Sequence, residues 1–437
     1  MLKKLLCAII LGTIVLFAAS CDRDTGETEE PDAPENDPGQ ITVSGLVFDR
    51  VAEFSEGLAA VYKVGQGGWG YIDMAGELVI PYAYSGAGPF VDGLAIVTFT
   101  VGDEESPYRH GIIDREGRVV VQIDYEMIGD FSDGLALVMV TDDETVSGKY
   151  GFIDRAGKRV VPLVYDGALD FSEGLAAVSL EGLSGFIDTT GKIVIPLKYQ
   201  DAGSFSEGLA AVYENGKYGF IDASGNVAIP FDYDFAGNFR EGLAIAAMSD
   251  DSGNAKWGFI DKTDRAVIPF IYLAANDFAD GIGVVSMSDG GYAFIDKTGK
   301  IIARHSDYVS VHGFSEGLAA VRKGGAWGFI DKTGKLVIAC EHESVGGQGF
   351  TSGLAMVKND EKWGFIDKTG NVAMPLEFDA LFEFSDGFAV AVKNGKCGVI
   401  DKAGGIVVPF EHELIGFVAE GFAFAQNEGV WRLLRLL

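Results

Sequence analysis

Short apolar runs alternate with glycine-centred polar turns along the chain from about residue 45 onward. In residues 314–340, Gly317 follows a polar pair and precedes one apolar run, and Gly324 and Gly325 lead into a second run, residues 327–331. An Asp-Lys-Thr-Gly turn then precedes a third run, residues 335–339. Apolar runs of this length between Gly and Asp turns are typical of strands joined by hairpins. No helical periodicity occurs after residue 40, so the pattern predicts three-stranded β-meanders.

This pattern recurs eleven times. An aromatic-x-acid-Gly-apolar motif (FSEGLA in its first copy) returns every 33 to 41 residues, beginning at Phe54, Phe90, Phe131, Phe171, Phe205, Phe239, Phe278, Phe314, Phe350, Phe384 and Phe417. A second motif (WGYID at Trp69) follows each copy and decays only in the last, around Trp431. A third motif, often Val-Ile-Pro, follows the turn. Self-similarity at such a period is the signature of a repeat architecture.

These motifs closely resemble the WG (KWG) repeat family of bacterial proteins over about residues 45–437, and the units at Trp257, Trp327 and Trp363 match best. Two units depart from the pattern, because Ala293 replaces the motif glycine in the seventh and Asp264 replaces the turn glycine in the sixth. We expect these two units to be distorted.

One unit cannot bury its apolar faces alone, so neighbouring units must stack. Small residues on the first strand, such as Ala59, Ala176, Ala210 and Ala319, predict close stacking between successive sheets. Eleven units exceed the four to eight blades of most propellers, and three strands are one fewer than a standard blade. We therefore expect an all-β array forming an open β superhelix or solenoid. The alternative is a closed propeller-like ring, in which the degenerate last unit would have to pair with the first.

The N-terminus has the composition of an export signal. Lys3 and Lys4 precede an apolar run over residues 5–19, which is too short for an ordinary membrane span. The following Ala-Ala-Ser-Cys resembles a lipobox, which implies a signal peptide over 1–20 and lipidation at Cys21; an ordinary signal cleaved nearby is the alternative. Residues 21–40 carry eight acidic residues, three prolines and no large apolar side chain, which predicts a disordered acidic tether. The repeat array then occupies 41–437, and the protein is expected to be extracytoplasmic and anchored to a bacterial membrane through its lipid alone.

The net charge of the chain restricts the classes of ligand that it can bind. The chain has 34 basic and 64 acidic residues, a net charge of −30, which argues against nucleic acid as a ligand. Cys340 and Cys397 are interpreted as small buried hydrophobes rather than a disulfide pair. A monomer is expected.

The three longest units owe their length to acidic insertions between the first and second predicted strands. Equivalent positions in stacked repeats share one edge, so these residues form a candidate binding rim for cations or basic partners: Asp103, Glu104, Glu105, Asp142, Asp143, Glu144, Asp250 and Asp251. The alternative is three solvated hairpin tips.

No catalytic centre, metal site or cofactor is predicted. The aspartate of the Ile-Asp motif occurs ten times, from Asp73 to Asp401, and an element present in every unit is explained by turn capping. His342 and His412 both lie in a Glu-His-Glu sequence, but neighbouring residues of a strand point to opposite faces. No HExxH or Walker-type motif occurs.

The motif aromatics resemble those of choline- and cell-wall-binding repeats, which implies glycan binding; packing between repeats is the competing interpretation. We therefore expect a non-enzymatic cell-surface lipoprotein that presents a repeat surface to a protein or cell-envelope glycan. The alternatives are an envelope-polymer hydrolase and a structural spacer with no specific ligand.

Overall fold

The computed structural model describes residues 41–42, 46–100, 108–142, 147–304, 308–416 and 418–436. These residues form 44 strands in eleven four-stranded antiparallel sheets, which we call blades. The prediction of an all-β array of eleven units is confirmed.

The strands of the N-terminal half follow in chain order. After the initial β1 (Ile41–Thr42), blades 1 to 5 comprise β2 (Arg50–Ser55), β3 (Leu58–Lys63), β4 (Gly68–Asp73), β5 (Leu78–Tyr84); β6 (Gly86–Ala87), β7 (Leu94–Thr100), β8 (Tyr108–Asp114), β9 (Val119–Tyr125); β10 (Met127–Ser132), β11 (Leu135–Asp142), β12 (Ser147–Asp154), β13 (Arg159–Tyr165); β14 (Gly167–Ala168), β15 (Leu175–Leu180), β16 (Leu183–Asp188), β17 (Ile193–Tyr199); β18 (Asp201–Ala202), β19 (Leu209–Glu214), β20 (Lys217–Asp222) and β21 (Val227–Tyr233).

The second half continues the same order. Blades 6 to 11 comprise β22 (Phe235–Arg240), β23 (Leu243–Ser249), β24 (Ala255–Asp261), β25 (Ala266–Tyr272); β26 (Ala274–Ala275), β27 (Ile282–Ser286), β28 (Tyr292–Asp296), β29 (Ile301–Arg304); β30 (Ser310–Ser315), β31 (Leu318–Lys323), β32 (Ala326–Asp331), β33 (Leu336–His342); β34 (Ser344–Thr351), β35 (Leu354–Asn359), β36 (Lys362–Asp367), β37 (Val372–Phe378); β38 (Ala380–Leu381), β39 (Phe388–Lys393), β40 (Lys396–Asp401), β41 (Ile406–His412); β42 (Leu414–Ile415), β43 (Phe422–Asn427) and β44 (Val430–Arg435).

The array closes into a ring. The closed propeller-like ring, given above as the alternative, is therefore the observed architecture, and the prediction of an open superhelix was wrong. The eleventh blade has the strand order β1-β44-β43-β42, so the N-terminal strand supplies its missing fourth strand. Thr42 pairs with Leu434, and Phe48 and Trp431 exchange two backbone hydrogen bonds at 2.9 and 3.0 Å. The degenerate last unit therefore does pair with the N-terminus, as closure required.

Each unit has four strands, so the prediction of three strands per unit was wrong. Each blade has an additional first strand that begins before the FSEGLA motif, and in six blades this strand is only two residues long, as in Gly86–Ala87 and Asp201–Ala202. Two residues show no periodicity, so their pairing is visible only in the folded sheet. The motif proline lies inside the last strand: Pro81 is within β5, at an edge where a missing donor is tolerated.

The core consists of eleven apolar clusters among the described residues, one at each junction between blades. At the junction of blades 4 and 5, Phe186 and Ile195 pack against Phe205 and Ala210, and all four are at most 1% exposed. The cluster that closes the ring joins Phe54 of blade 1 to residues of blade 11. The small first-motif alanines are buried at these junctions, which confirms the predicted close stacking.

The motif glycine of the third strand is required because the fourth strand bulges across it. A Cβ at Gly219 would lie 2.8 Å from the carbonyl oxygen of Ile229. In blade 7, Ala293 occupies this position and β29 pairs without the first of the two register shifts found elsewhere. Blade 7 is therefore altered as expected. Blade 6 keeps its turn, because Asp264 adopts a left-handed φ of 65° and accepts a 2.6 Å hydrogen bond from the Tyr233 hydroxyl.

A candidate binding surface on one rim of the ring

The antiparallel order gives the ring two rims. The turn rim carries the turns between first and second strands and between third and fourth strands. The hairpin rim carries the hairpins between second and third strands and the connections to the next blade. The predicted acidic insertions come between the second and third strands of blades 2, 3 and 6, and the one described in full, in blade 6, lies on the hairpin rim.

On the turn rim, the acid of the FSEGLA motif joins neighbouring blades. This position has a positive φ of 50 to 56° in all eleven blades, and the glycine after it is also left-handed, as a type I′ turn requires. In seven junctions the carboxylate accepts a hydrogen bond from the equivalent glycine N–H of the next blade, and the acceptors are Glu56, Asp133, Glu173, Glu207, Glu241, Glu316 and Glu420.

Glu241 shows the full arrangement. Its Oε2 accepts from Gly281 N at 2.9 Å and lies 2.9 Å from the Lys297 ammonium, which also donates to the Glu241 carbonyl oxygen at 2.9 Å. The hydrogen bond from Lys297 holds the pKa of Glu241 below its usual range. This carboxylate links blade 6 to two turns of blade 7, so it is a structural clamp.

The ten aspartates of the Ile-Asp motif all cap the following turn. In each, Oδ1 accepts hydrogen bonds from the backbone N–H groups two and four residues later, as Asp73 does from Ala75 and Glu77 at 2.9 Å. The other nine are Asp114, Asp154, Asp188, Asp222, Asp261, Asp296, Asp331, Asp367 and Asp401. The Thr263 hydroxyl lowers the pKa of Asp261 to about 2, so this group is ionised at neutral pH and is not a proton donor.

The motif aromatics divide between core and surface. The Phe or Tyr of the third strand packs on the first-motif Phe of the next blade, as in Phe186–Phe205, with ring centroids 4.8 Å apart. The Trp or Tyr that starts the second motif, such as Trp69 and Trp257, is only half-buried and lies at the hairpin rim. The packing interpretation is therefore confirmed for the third-strand ring, and glycan binding stays a prediction for the half-buried position at the hairpin rim.

Two of these rings, Tyr218 and Trp257, join two other aromatic residues of the hairpin rim in a continuous line across blades 5 and 6. We call this the aromatic line: Tyr213, Tyr218, Phe235 and Trp257. Successive ring centroids are 4.7, 6.0 and 5.0 Å apart. Phe235 is 39% exposed and the other three rings are half-buried. The line crosses the junction because Phe235 begins the first strand of blade 6 next to Tyr218 of blade 5.

Local pairing explains why the rings meet. Tyr213 and Tyr218 are direct cross-strand partners. In blade 6, Phe235 pairs with Ala247, and Ala247 pairs with Trp257, so a buried alanine lies between two large rings on one face. Among the eleven first strands, all of which the structure describes, β22 alone begins with an aromatic residue. The clue in the sequence is Phe235, at a position that is Gly86 in blade 2 and Ser310 in blade 8.

Polar groups border the aromatic line. The Tyr218 hydroxyl donates to Asp201 Oδ2 at 3.4 Å, and Asp201 itself is exposed. Burial and the neighbouring Asp201 carboxylate raise the pKa of Tyr218, so the phenol keeps its proton. Asp234, between blades 5 and 6, is ion-paired with Lys217 and accepts from the Ser249 N–H and hydroxyl at 2.6 and 2.7 Å. The Lys217 hydrogen bond lowers the pKa of Asp234.

The predicted acidic rim is brought beside this line in one blade. Asp250 caps the tip of the blade 6 hairpin by accepting from Ser252 N and Asn254 N, and it lies 3.6 Å from Lys256. Asp251 is exposed at the same tip. Only the backbone of Asp142, at the end of β11, is described. Asp103, Glu104, Glu105, Asp143 and Glu144 lie outside the described residues, as do Cys21, the tether and Phe417.

The histidines take packing positions. His342 and His412 end the fourth strands of their blades, where Tyr84 and Tyr199 stand elsewhere, and both are 5% exposed. Burial lowers the pKa of both. Among the residues that the structure describes, no three His, Cys, Asp or Glu side chains are grouped to hold a metal ion. Cys340 and Cys397 are not joined by a disulfide. No helix in the described part of the chain has the length and apolar character to span a membrane.

Comparison with known proteins identifies the repeat. The family described as "WG containing repeat" matches ten segments, at residues 69–99, 111–142, 150–183, 185–218, 218–250, 257–290, 292–325, 327–363, 363–397 and 398–431. No curated protein matches the chain.

Solved structures that resemble the chain include a eukaryotic initiation factor, at 11% identity over 87% of this chain and 98% of that one, with a TM-score of 0.43. Others are the tricorn protease, at 14% identity over 87% and 46% (TM-score 0.24), and the extracellular domain of a hybrid two-component system protein from B. thetaiotaomicron, at 11% identity over 89% and 68% (TM-score 0.20). These TM-scores are too low to carry an argument about function.

Proposed function

We propose, for a chain that belongs to the WG-containing repeat family, a non-enzymatic role in which the hairpin rim binds a partner of the bacterial cell envelope. A repeat-rich all-β ring is suited to binding or scaffolding, because its rims repeat one surface over many blades. The single observation that carries the proposal is the aromatic line at Tyr218, Phe235 and Trp257. It brings four partly exposed rings together across two blades, whereas the Tyr62–Trp69 contact of blade 1 joins two rings within one blade.

The distribution of carboxylates supports a binding role over catalysis. The repeated acids of the turn rim are engaged in turn caps or clamps between blades, as Asp73 and Glu241 show. A catalytic pair needs carboxylates whose pKa values differ in a site that a substrate reaches. The aromatic line offers apolar stacking surface and hydrogen-bond acceptors instead, which are the components of a recognition site.

We also propose, from the composition of the N-terminal sequence, that the ring lies outside the cytoplasm. Lipidation at Cys21 and an acidic tether over 21–40 would hold the ring at a membrane surface as a monomer, through acyl chains alone. Cys21→Ser tests the anchor: the variant is expected in the soluble fraction, whereas the parent protein sediments with membranes. A variant that still sediments would contradict lipid anchoring.

Binding is tested with the full chain carrying Cys21→Ser, incubated with isolated cell-envelope fragments and sedimented. Phe235→Ser combined with Trp257→Ala should reduce co-sedimentation, and Trp69→Ala is the matched control. Trp69 stacks on Tyr62, but its neighbour in the next blade is Gly86, so the ring pair ends there. Asp250→Asn with Asp251→Asn tests the acidic tip separately. Binding that none of these rim changes reduces would contradict the proposal.

A further inference from the structure

We infer that the aromatic line of blades 5 and 6 is a glycan-binding subsite, whose ligand is a polysaccharide of uncharged or amino-bearing sugars. This inference rests on the proposed binding role of the hairpin rim and names the chemical class of its partner. It follows from the shape of the line, from the polar groups beside it and from the sign of the charge around it.

The shape of the line fits a chain of sugar rings. A pyranose has an apolar C–H face and a rim of hydroxyl groups, so it packs on an aromatic face while its edge makes hydrogen bonds. Tyr218, Phe235 and Trp257 offer successive rings 6.0 and 5.0 Å apart, and each is inclined to the next by 55° and 48°. Such a stepped series of faces suits a linear chain of rings that twists between units.

The width of the line argues for a glycan rather than a protein partner. Of the four rings, only Phe235 is exposed, and polar groups border the line, with Asp201 on the Tyr218 hydroxyl and Ser249 on Asp234. A stable protein interface needs about 800 Å² of contact surface from each partner. A strip one side chain wide supplies far less, whereas it matches the contact face of an oligosaccharide.

The bordering carboxylates supply the acceptors that sugar hydroxyls require. Asp201 is exposed, and its Oδ2 accepts from the Tyr218 hydroxyl while its Oδ1 accepts from the Ala202 N–H at 2.9 Å. Each carboxylate oxygen has a second lone pair that can accept from another donor. Asp232 is exposed one residue before Tyr233. Hydrogen bonds from neutral hydroxyls or ammonium groups to ionised carboxylates are among the stronger kinds, so these groups complement the stacking faces.

Charge then selects among glycans. Lys217 and Lys256 are paired with Asp234 and Asp250, so their charge is largely offset, and the Lys198 ammonium lies over the Tyr199 ring. Asp201, Asp232 and Asp251 remain exposed, and the chain as a whole carries a net charge of −30. An acidic polysaccharide would be repelled both locally and at a distance. Neutral sugars are accepted, and sugars with free amino groups are attracted.

The test is calorimetric titration of the full chain carrying Cys21→Ser with three defined probes. These are a neutral hexasaccharide of N-acetylglucosamine, its deacetylated amino form, and hyaluronan as an acidic polymer. Phe235→Ser is the main variant, because Ser310 and Ser344 occupy the equivalent position in blades 8 and 9 and the fold accepts serine there. Trp257→Ala is the second variant, and Trp69→Ala is the control.

We expect saturable binding of the neutral or the amino hexasaccharide and none of hyaluronan. Each line variant should weaken that binding by about tenfold or more, the effect of losing one stacked ring, while Trp69→Ala changes it by less than about twofold. Absence of binding to both hexasaccharides overturns the inference, and so does binding that Phe235→Ser and Trp257→Ala leave unchanged. Binding of hyaluronan through the same rings overturns the charge selection. If envelope fragments still bind through the rim while both hexasaccharides fail, the ligand class is wrong and the proposed function stands.

Discussion

Gly219, in the third strand of blade 5, gives the sharpest test of how a blade is built. A Cβ at this position would lie 2.8 Å from the Ile229 carbonyl oxygen and 3.0 Å from the carbonyl carbon of Pro230. Both atoms belong to the backbone of β21, so no side-chain rotation relieves the contact. The β21 bulge, between the pairs Tyr218–Tyr233 and Phe220–Ile229, must therefore shift in Gly219→Ala.

The expected cost follows from overpacking a rigid interior, about 1–3 kcal/mol. Unfolding entropy is about 2.1 cal/mol/K per residue, so for a ring of roughly 390 residues this cost lowers Tm by about 1–4 °C. The change should be local, because blade 7 tolerates Ala293 by pairing its last strand differently. Hydrogen exchange is therefore expected to accelerate in β20 and β21 more than in distant blades.

Differential scanning calorimetry and hydrogen–deuterium exchange measure the two effects. Gly313→Ala is the matched control, since Gly313 lies in a strand, has no left-handed φ and would place its Cβ in open space. That substitution should be neutral or slightly stabilising, because it removes freedom from the unfolded chain. The reasoning is refuted if Gly219→Ala melts at the same temperature as Gly313→Ala with unchanged exchange in β20 and β21.

Three further substitutions probe the closure, a buried histidine and a clamp. Phe48→Ala removes a fully buried ring from the closing junction and should lower the free energy of unfolding by about 3–5 kcal/mol. Hydrogen exchange should accelerate first in β43 and β44, and uniform acceleration over all blades would contradict closure as the weak point. Burial lowers the pKa of His342, so the unfolded chain binds a proton at a higher pH than the folded chain, and stability is lost as the pH falls below about 6.5. His342→Phe introduces the residue type of the equivalent Phe378 and should flatten the fall in Tm between pH 6.5 and 5. An unchanged slope of Tm against pH would be contrary evidence. Glu241→Gln weakens a partly exposed ion pair with Lys297. The urea midpoint should fall by the equivalent of about 0.5–1 kcal/mol at low salt and by less in 1 M NaCl. A loss of stability that is independent of salt would argue against an ionic contribution.

Much of the repeat unit was predictable because it depends on neighbours in sequence. The Asp-to-Gly turn needs a capping carboxylate and a left-handed residue within four positions. Asp331 and Gly334 supply them three positions apart in the sequence. The strands of the second and third motifs follow from apolar runs bounded by such turns. The number of units follows from counting a motif that occurs eleven times.

The candidate site was only partly predictable. The sequence indicates rim aromatics and an acidic tip at Asp250 and Asp251, but nothing local shows that Phe235 lies between Tyr218 of one blade and Trp257 of another. Likewise, the Glu241 carboxylate looks like a turn residue until the Gly281 N–H of the next blade is placed against it. The Tyr218–Phe235 and Glu241–Gly281 contacts join residues 17 and 40 positions apart in different blades, which is beyond the reach of pattern reasoning.

What the sequence determined alone is therefore most of the unit: three of its four strands, its turns and its copy number. The tertiary structure decided the fourth strand, the closure of the ring and the continuity of the aromatic line. The two-residue strands such as Gly86–Ala87 exist only because a neighbouring strand pairs with them. Closure depends on a small rotation between blades, repeated at eleven junctions, that brings Phe48 back to Trp431. That rotation is set by packing between sheets, a quantity that no single repeat contains.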